Sequence, residues 1–136
     1  MPEKFKNFIV LDETTELLLV HTYEKIYLVK KANNEFIFID EMYGDPCCGV
    51  ISIDNKYCII GGYELILWVD GKSIIFENLK DIYDIRKAMD DEYEILIDPW
   101  SENSSIWIFN AISRSLVKLR DFDKYRDEEY SDNVIW

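Results

Sequence analysis

The sequence predicts an all-β protein made of three repeated four-stranded antiparallel β-meanders in one compact domain, with little helix. Short apolar runs rich in Ile, Val, Tyr, Phe and Trp recur along the chain, separated by clusters of Asn, Asp, Gly and Lys. This is the pattern of strands joined by tight turns. The runs fall into three groups of four that repeat about every 40 residues. Several of them, such as "LILWV" at 65–69, do not alternate, which indicates strands that are covered on both faces.

Length and composition are consistent with a single domain over residues 1–136. Half the residues are apolar (49%) and 15% are aromatic, far more than a disordered acidic chain carries. A chain of this length buries enough surface to fold without a metal or a disulfide.

The twelve predicted strands form three units, at about 8–40, 49–77 and 82–120. The strands are Phe8–Leu11, Leu17–His21, Ile26–Lys30 and Phe36–Ile39; Gly49–Ile53, Tyr57–Ile60, Leu65–Val69 and Ser73–Phe76; and Ile82–Arg86, Glu94–Ile97, Ile106–Phe109 and Leu116–Leu119. The segments "SIDNKY" (52–57) and "VDGKS" (69–73) predict hairpin turns, since Asp-Asn and Asp-Gly accept the positive φ that such turns need. An alternative for 78–91 is a short helix capped by Asn78.

Four strands at this spacing are typical of a β-propeller blade, although propellers usually have four to eight blades. Three units must therefore be sealed in another way. Either the C-terminal segment 121–136, which is rich in aromatic residues, covers an open face, or two copies join as a homodimer. We favour the covering segment.

The sequence contains no pattern that predicts an enzyme or a cofactor. Gly61 and Gly62 lead into a strand, whereas a phosphate-binding loop leads into a helix, so they indicate a hairpin or bulge. His21 is the only histidine, which excludes metal sites that need two imidazoles. Cys47, Cys48 and Cys58 do not form a disulfide framework, and we expect inert buried thiols.

The net charge of −12 disfavours direct binding to nucleic acid or to anionic membranes and favours basic protein partners. Acidic residues also cluster with aromatic residues. Protein–protein interfaces often have this composition, in which the rings form the buried centre and the charges guide the approach of the partner. The predicted partner-binding residues are Asp40, Glu41, Tyr43, Asp91, Glu92, Tyr93, Asp98, Trp100 and Glu102. The alternative is that these rings pack into the core.

The segments "YGDPCCGVISIDNKYCIIGGYELILW" and "LIDPWSENSSIW", together with the acidity, resemble small bacterial immunity proteins encoded beside polymorphic or contact-dependent growth-inhibition toxins. This resemblance implies a cytoplasmic monomer or homodimer that neutralises a cognate toxin C-terminal domain, a basic nuclease. The N-terminal apolar stretch is interrupted by Asp12 and Glu13, unlike a signal peptide, which agrees with a cytoplasmic location. The alternatives are a propeller-like adaptor without enzymatic activity and, third, a glycosidase.

Overall fold

The computed structural model describes residues 7–136, and within that range the protein has twelve strands and no helix. The prediction of an all-β fold is therefore confirmed. The strands are β1 (Ile9–Glu13), β2 (Leu17–Thr22), β3 (Lys25–Lys30), β4 (Glu35–Glu41), β5 (Cys48–Ile51), β6 (Tyr57–Gly61), β7 (Leu65–Val69), β8 (Lys72–Phe76), β9 (Ile82–Met89), β10 (Glu92–Ile97), β11 (Ser105–Asn110) and β12 (Leu116–Asp121).

Each unit is a four-stranded antiparallel meander in which every strand pairs with the next one along the chain. The first sheet is β1–β4, the second β5–β8 and the third β9–β12. The three predicted units are confirmed, and their observed bounds differ from the predicted ones by no more than one or two residues. Strand β5 contacts β1 on one side and β9 on the other, so the first strands of the three units lie next to one another.

The segment 82–89 is a strand, and the helical alternative for 78–91 is wrong. Asp81 and Asp90 have positive φ angles of 57° and 47°. These left-handed residues reverse the chain before and after β9, and a helix cannot pass through them. The backbone of β9 pairs with β10, so its apolar spacing reflects packing on a sheet.

The second sheet lies in the middle of the molecule and is covered on both faces. One core cluster joins it to the first sheet, with Leu19, Ile26 and Ile60 among its members. The other joins it to the third sheet and includes Ile59 and Phe109. All five residues of β6 are buried, which explains why this part of the sequence does not alternate.

Gly61 is required by the close packing of the second sheet against the third. A Cβ atom at this position would lie 2.6 Å from Cγ2 of Ile82 and 2.8 Å from Sγ of Cys48. After Gly61 the chain turns through 62–64 into β7. The Gly-Gly pair therefore ends one strand and opens a hairpin, as the sequence predicts.

The two predicted hairpin turns are present, and each uses the expected left-handed residues. Asn55 has a φ of 59° in the turn between β5 and β6, and Asp70 and Gly71 have φ angles of 54° and 73° between β7 and β8. Two consecutive positive φ angles are characteristic of the tight turn that matches strand twist.

The C-terminal segment packs against the outer face of the third sheet. The guanidinium of Arg86 stacks on the ring of Trp136, with its Cζ 3.9 Å from the ring centroid. The indole Nε1 of Trp136 donates a hydrogen bond to Oδ2 of Asp84 at 3.3 Å. Leu96 and Ile106 pair with each other across β10 and β11. They lie on the same face of the sheet as Asp84 and Arg86 of β9. Leu96 and Ile106 are both fully buried, although their side chains point away from the second sheet.

The outer face of the first sheet carries a cluster of aromatic rings. Phe8, Tyr27 and Phe36 contact one another at centroid distances of 5.2–5.9 Å, and Phe38 lies 5.6 Å from Tyr27. Phe38 is 53% exposed. The first and third sheets thus differ, since the chain's own C-terminal segment packs on only the third sheet.

Within residues 7–136 the protein has no helix with the length and hydropathy needed to cross a membrane.

We expect the variant Trp136→Ala to lower the free energy of unfolding by about 1–3 kcal/mol, because it removes both the stacking on Arg86 and the contacts over the third sheet. Urea unfolding followed by circular dichroism measures this change. Ile135→Ala is the matched control, since Ile135 is mostly exposed. Equal stability of the two variants would show that the segment does not support the sheet.

Candidate functional site

Five connections of the chain meet at one end of the molecule. Because neighbouring strands are antiparallel, the loops β2–β3, β4–β5, β6–β7, β8–β9 and β10–β11 all lie at the same end. Main-chain hydrogen bonds join them: Ile82 donates to the carbonyl of Gly62 at 2.7 Å, and Asp98 donates to the carbonyl of Asp81 at 2.9 Å. We call this the cleft end of the protein.

The cleft end contains an open cleft of about 750 Å³. It is formed by the connection between the first and second sheets, the β6–β7 loop, the start of β9, the β10–β11 loop and the C-terminal segment. Its lining residues are Tyr43, Gly44, Asp45, Cys47, Gly62, Tyr63, Asp81, Ile82, Tyr83, Asp98, Trp100, Glu128 and Tyr130. All three sheets or their connections therefore contribute to it.

Four carboxylates line this acid-aromatic cleft, and among residues 7–136 no lysine, arginine or histidine lines it. They belong to Asp45, Asp81, Asp98 and Glu128. Oδ1 of Asp98 accepts a hydrogen bond from the backbone N–H of Trp100 at 3.1 Å, which orients this carboxylate within the β10–β11 loop. Like charges that face one cleft create a negative potential there, so the cleft favours a cationic ligand.

Five aromatic rings line the same cleft and form two contacting groups. Tyr43 and Tyr63 meet edge to face at 5.1 Å. Trp100 contacts Tyr83 at 5.5 Å and Tyr130 at 4.9 Å with a 35° tilt. The indole Nε1 of Trp100 is buried and has no hydrogen-bond partner within residues 7–136, so ring contacts hold this side chain in place.

Cys47 is an exposed residue of the cleft, which corrects the expectation that all three cysteines are buried. Its Sγ donates to the carbonyl of Ile82 at 2.8 Å and lies 3.6 Å from Sγ of Cys48. The irregular segment 45–47, which follows the bend at residues 43–44, places Cys47 just before β5, outside the core. Cys48 and Cys58 are buried, and burial raises the pKa of the Cys58 thiol.

Three of the nine predicted partner-binding residues, Tyr43, Asp98 and Trp100, line the cleft together. Asp40 and Glu41 lie at the end of β4, near the cleft end but outside the cleft lining. Glu102 is exposed and lines a smaller hollow of about 420 Å³ beside it, together with Lys118 and Asp121.

The other three predicted residues, Asp91, Glu92 and Tyr93, lie at the opposite end of the molecule. The ring of Tyr93 is only 1% exposed and belongs to the core between the second and third sheets, so it is not a surface anchor. Tyr57 donates to Oδ1 of Asp91 at 2.7 Å and lies 2.9 Å from the hydroxyl of Tyr93. Asp91 is thus a structural hydrogen-bond acceptor, which corrects the expectation of a freely solvated turn carboxylate.

Ten of the residues that line the cleft were not among the predicted ones, and six of these are acidic or aromatic: Asp45, Tyr63, Asp81, Tyr83, Glu128 and Tyr130. Some of them are close in the sequence, as Asp81 and Tyr83 are, but the segments that carry them are far apart and are brought together by strand pairing and sheet stacking. The repeat of antiparallel strands could have indicated the first four of these six residues. In such a repeat β4, β6, β8 and β10 all end at the same end of the molecule, so the loops that follow them lie close together.

His21 and the carboxylates do not combine into a metal centre. His21 is buried at the end of β2, and its Nδ1 lies 2.9 Å from the carbonyl of Tyr23, so it is a structural residue. In the part of the chain that the structure describes, no three His, Cys, Asp or Glu side chains are grouped as metal ligands.

No known protein-family model matches this chain, and a comparison with curated proteins finds no significant match.

We expect Tyr57→Phe to lower the free energy of unfolding at pH 7 by about 1–3 kcal/mol, because Tyr93 and Asp91 lose their shared partner. Burial raises the pKa of Tyr57 above its usual value, so folding favours the protonated phenol. Its stabilisation is complete below the unfolded-state pKa of about 10 and is lost as the pH rises towards the folded-state pKa.

Urea unfolding from pH 7 to pH 12 measures this dependence. The wild-type protein should lose more stability above about pH 10 than Tyr57→Phe loses. Tyr23→Phe is the control, since Tyr23 is an exposed tyrosine and its substitution should leave both quantities unchanged. The same alkaline loss in all three proteins would contradict the role given to Tyr57.

Proposed function

We propose that the protein is a cytoplasmic immunity protein that binds a cognate bacterial toxin domain, a basic nuclease, and covers its active site or substrate groove. The observation that supports this proposal is the acid-aromatic cleft, which four carboxylates and five rings line with no basic side chain from the described part of the chain among them. Nuclease surfaces that bind phosphates are basic, and carboxylates placed where phosphates bind would compete with the substrate.

The distribution of charge and rings fits the two requirements of a protein inhibitor. A net charge of −12 would raise the rate of encounter with a basic domain. Rings such as Tyr43, which is 76% exposed, and Trp100 would then lose their contact with water in the complex. Desolvated aromatic contacts slow dissociation. The association rate would therefore depend on the carboxylates of the cleft, and the dissociation rate on its rings.

The test is co-expression with the toxin domain encoded next to this protein's gene. We expect restored growth and a one-to-one complex whose association rate falls as the salt concentration exceeds about 0.1 M. The double variant Asp45→Lys/Glu128→Lys should slow association by about tenfold or more, since it reverses two cleft charges.

The matched control is Glu16→Lys/Glu35→Lys. Both of its residues are exposed and lie at the opposite end, and it changes the net charge by the same four units. Equal slowing by the two double variants would mean that only the total charge matters. A stable complex with a non-toxic neighbour would favour the adaptor function, and the absence of any protection would refute the immunity proposal.

A further inference from the structure

Two cations of this protein are each bound by an aromatic ring and a carboxylate at the same time. Arg86 stacks on Trp136 at 3.9 Å, and its Nε donates to Glu94 at 2.8 Å. Lys80 lies 4.6 Å from the ring centre of Tyr63, and its ammonium is 3.7 Å from Glu64. Lys80 lies in the connection between β8 and β9 and Arg86 lies in β9, and each uses a different ring and a different carboxylate.

The acid-aromatic cleft repeats two parts of this arrangement. Trp100 and Asp98 both line the cleft, and the backbone N–H of Trp100 donates to Oδ1 of Asp98 at 3.1 Å, so both residues belong to one hydrogen-bonded loop. Tyr130 and Glu128 of the C-terminal segment line the cleft with them. Ring faces carry negative partial charge and attract cations, most strongly in tryptophan, so ring and carboxylate select the same ligand.

We propose that the acid-aromatic cleft binds the side chain of one protruding arginine of the partner. The planar guanidinium can stack on a ring and donate two parallel hydrogen bonds to a carboxylate, which an ammonium cannot do. Trp100 and Tyr130 provide the stacking surface, and Asp98 accepts the hydrogen bonds. The proposal rests on the proposed function only in that a basic toxin domain supplies this arginine.

The cleft has room for such a side chain and for the backbone that presents it. Its volume of about 750 Å³ falls in the range of pockets that hold small organic ligands, about 300–1,000 Å³. Glu128 and Tyr130 of the C-terminal segment line it together with Cys47 and Gly62.

The direct test uses short peptides with the wild-type protein. Acetyl-Gly-Arg-Gly-amide is compared with the same peptide containing citrulline, a neutral isostere of arginine, and with the lysine peptide. Titration is followed by NMR of the tryptophan indole signals. We expect the arginine peptide to shift the Trp100 signal and to bind about tenfold or more tightly than the citrulline peptide, with lysine in between.

Cys47 provides a second measurement because it is an exposed cysteine in the cleft lining, whereas Cys48 and Cys58 are buried. Iodoacetamide, which is uncharged, should alkylate Cys47 in the folded protein. The arginine peptide should slow this reaction at concentrations at which the citrulline peptide has no effect. Mass spectrometry of the digested protein identifies the modified cysteine.

Two variants assign the binding to its proposed residues. Asp98→Asn removes the charge but keeps an oxygen that can accept the hydrogen bond from the backbone N–H of Trp100. It should lower the affinity for the arginine peptide about tenfold and leave the affinity for the citrulline peptide unchanged. Asp70→Asn, at the opposite end of the molecule, is the control and should change neither. Equal affinity for arginine and citrulline peptides, or shifts that map away from Trp100, would overturn the proposal.

The outcomes for the cleft and for the immunity function can be told apart. Arginine-selective peptide binding without toxin neutralisation would retain the cleft as an arginine site and refute the toxin as its partner. Neutralisation by Asp98→Asn with wild-type affinity, together with no arginine selectivity, would retain the immunity function and refute the arginine site.

Discussion

Burial of the second sheet on both faces is the constraint on which the rest of the structure depends. A sheet with apolar residues on both faces must be covered twice, and the first and third sheets provide the two layers. The close approach at Gly61, where a Cβ would meet Ile82 and Cys48, is part of the same packing. It leaves the outer faces of the first and third sheets to be covered separately, and the C-terminal segment packs on the third through Trp136.

The same packing creates the cleft, because stacked meanders place their connections in two groups at opposite ends. At one end, Tyr57, Asp91 and Tyr93 join the second and third sheets through buried hydrogen bonds. At the cleft end, the carboxylates include Asp45 and Asp81, which are exposed. Four like charges in one cleft are unfavourable for stability, and exposure to water reduces this cost by screening. The two ends therefore serve different purposes, one in joining the sheets and the other in presenting a charged surface.

The strands and turns could be predicted from the sequence because their determinants are local. Apolar runs between polar clusters identify strands, and Asp70-Gly71 identifies a turn by its φ preference alone. The cleft could not be predicted in full, since Tyr63 and Tyr83 are brought together with Trp100 by strand pairing and sheet stacking. Tyr93 shows the limit most clearly. Its acidic neighbours suggest a surface residue, whereas its position on the same face of β10 as Ile95 and Ile97 places it in the core.

The charge of this protein is also arranged differently on the outer face of the third sheet and in the cleft. On the outer face of the third sheet, Arg86 neutralises Glu94 and stacks on Trp136, so acid, ring and cation are all supplied by the chain. The cleft is lined by acids and rings, and the cation next to one of these rings, Lys80 over Tyr63, is already paired with Glu64. If the acidity served only solubility, we would expect basic side chains to occur in the cleft lining as they occur on the outer face of the third sheet. The clustering of carboxylates with rings therefore places a negative potential beside aromatic surface, an arrangement to which a cation is complementary.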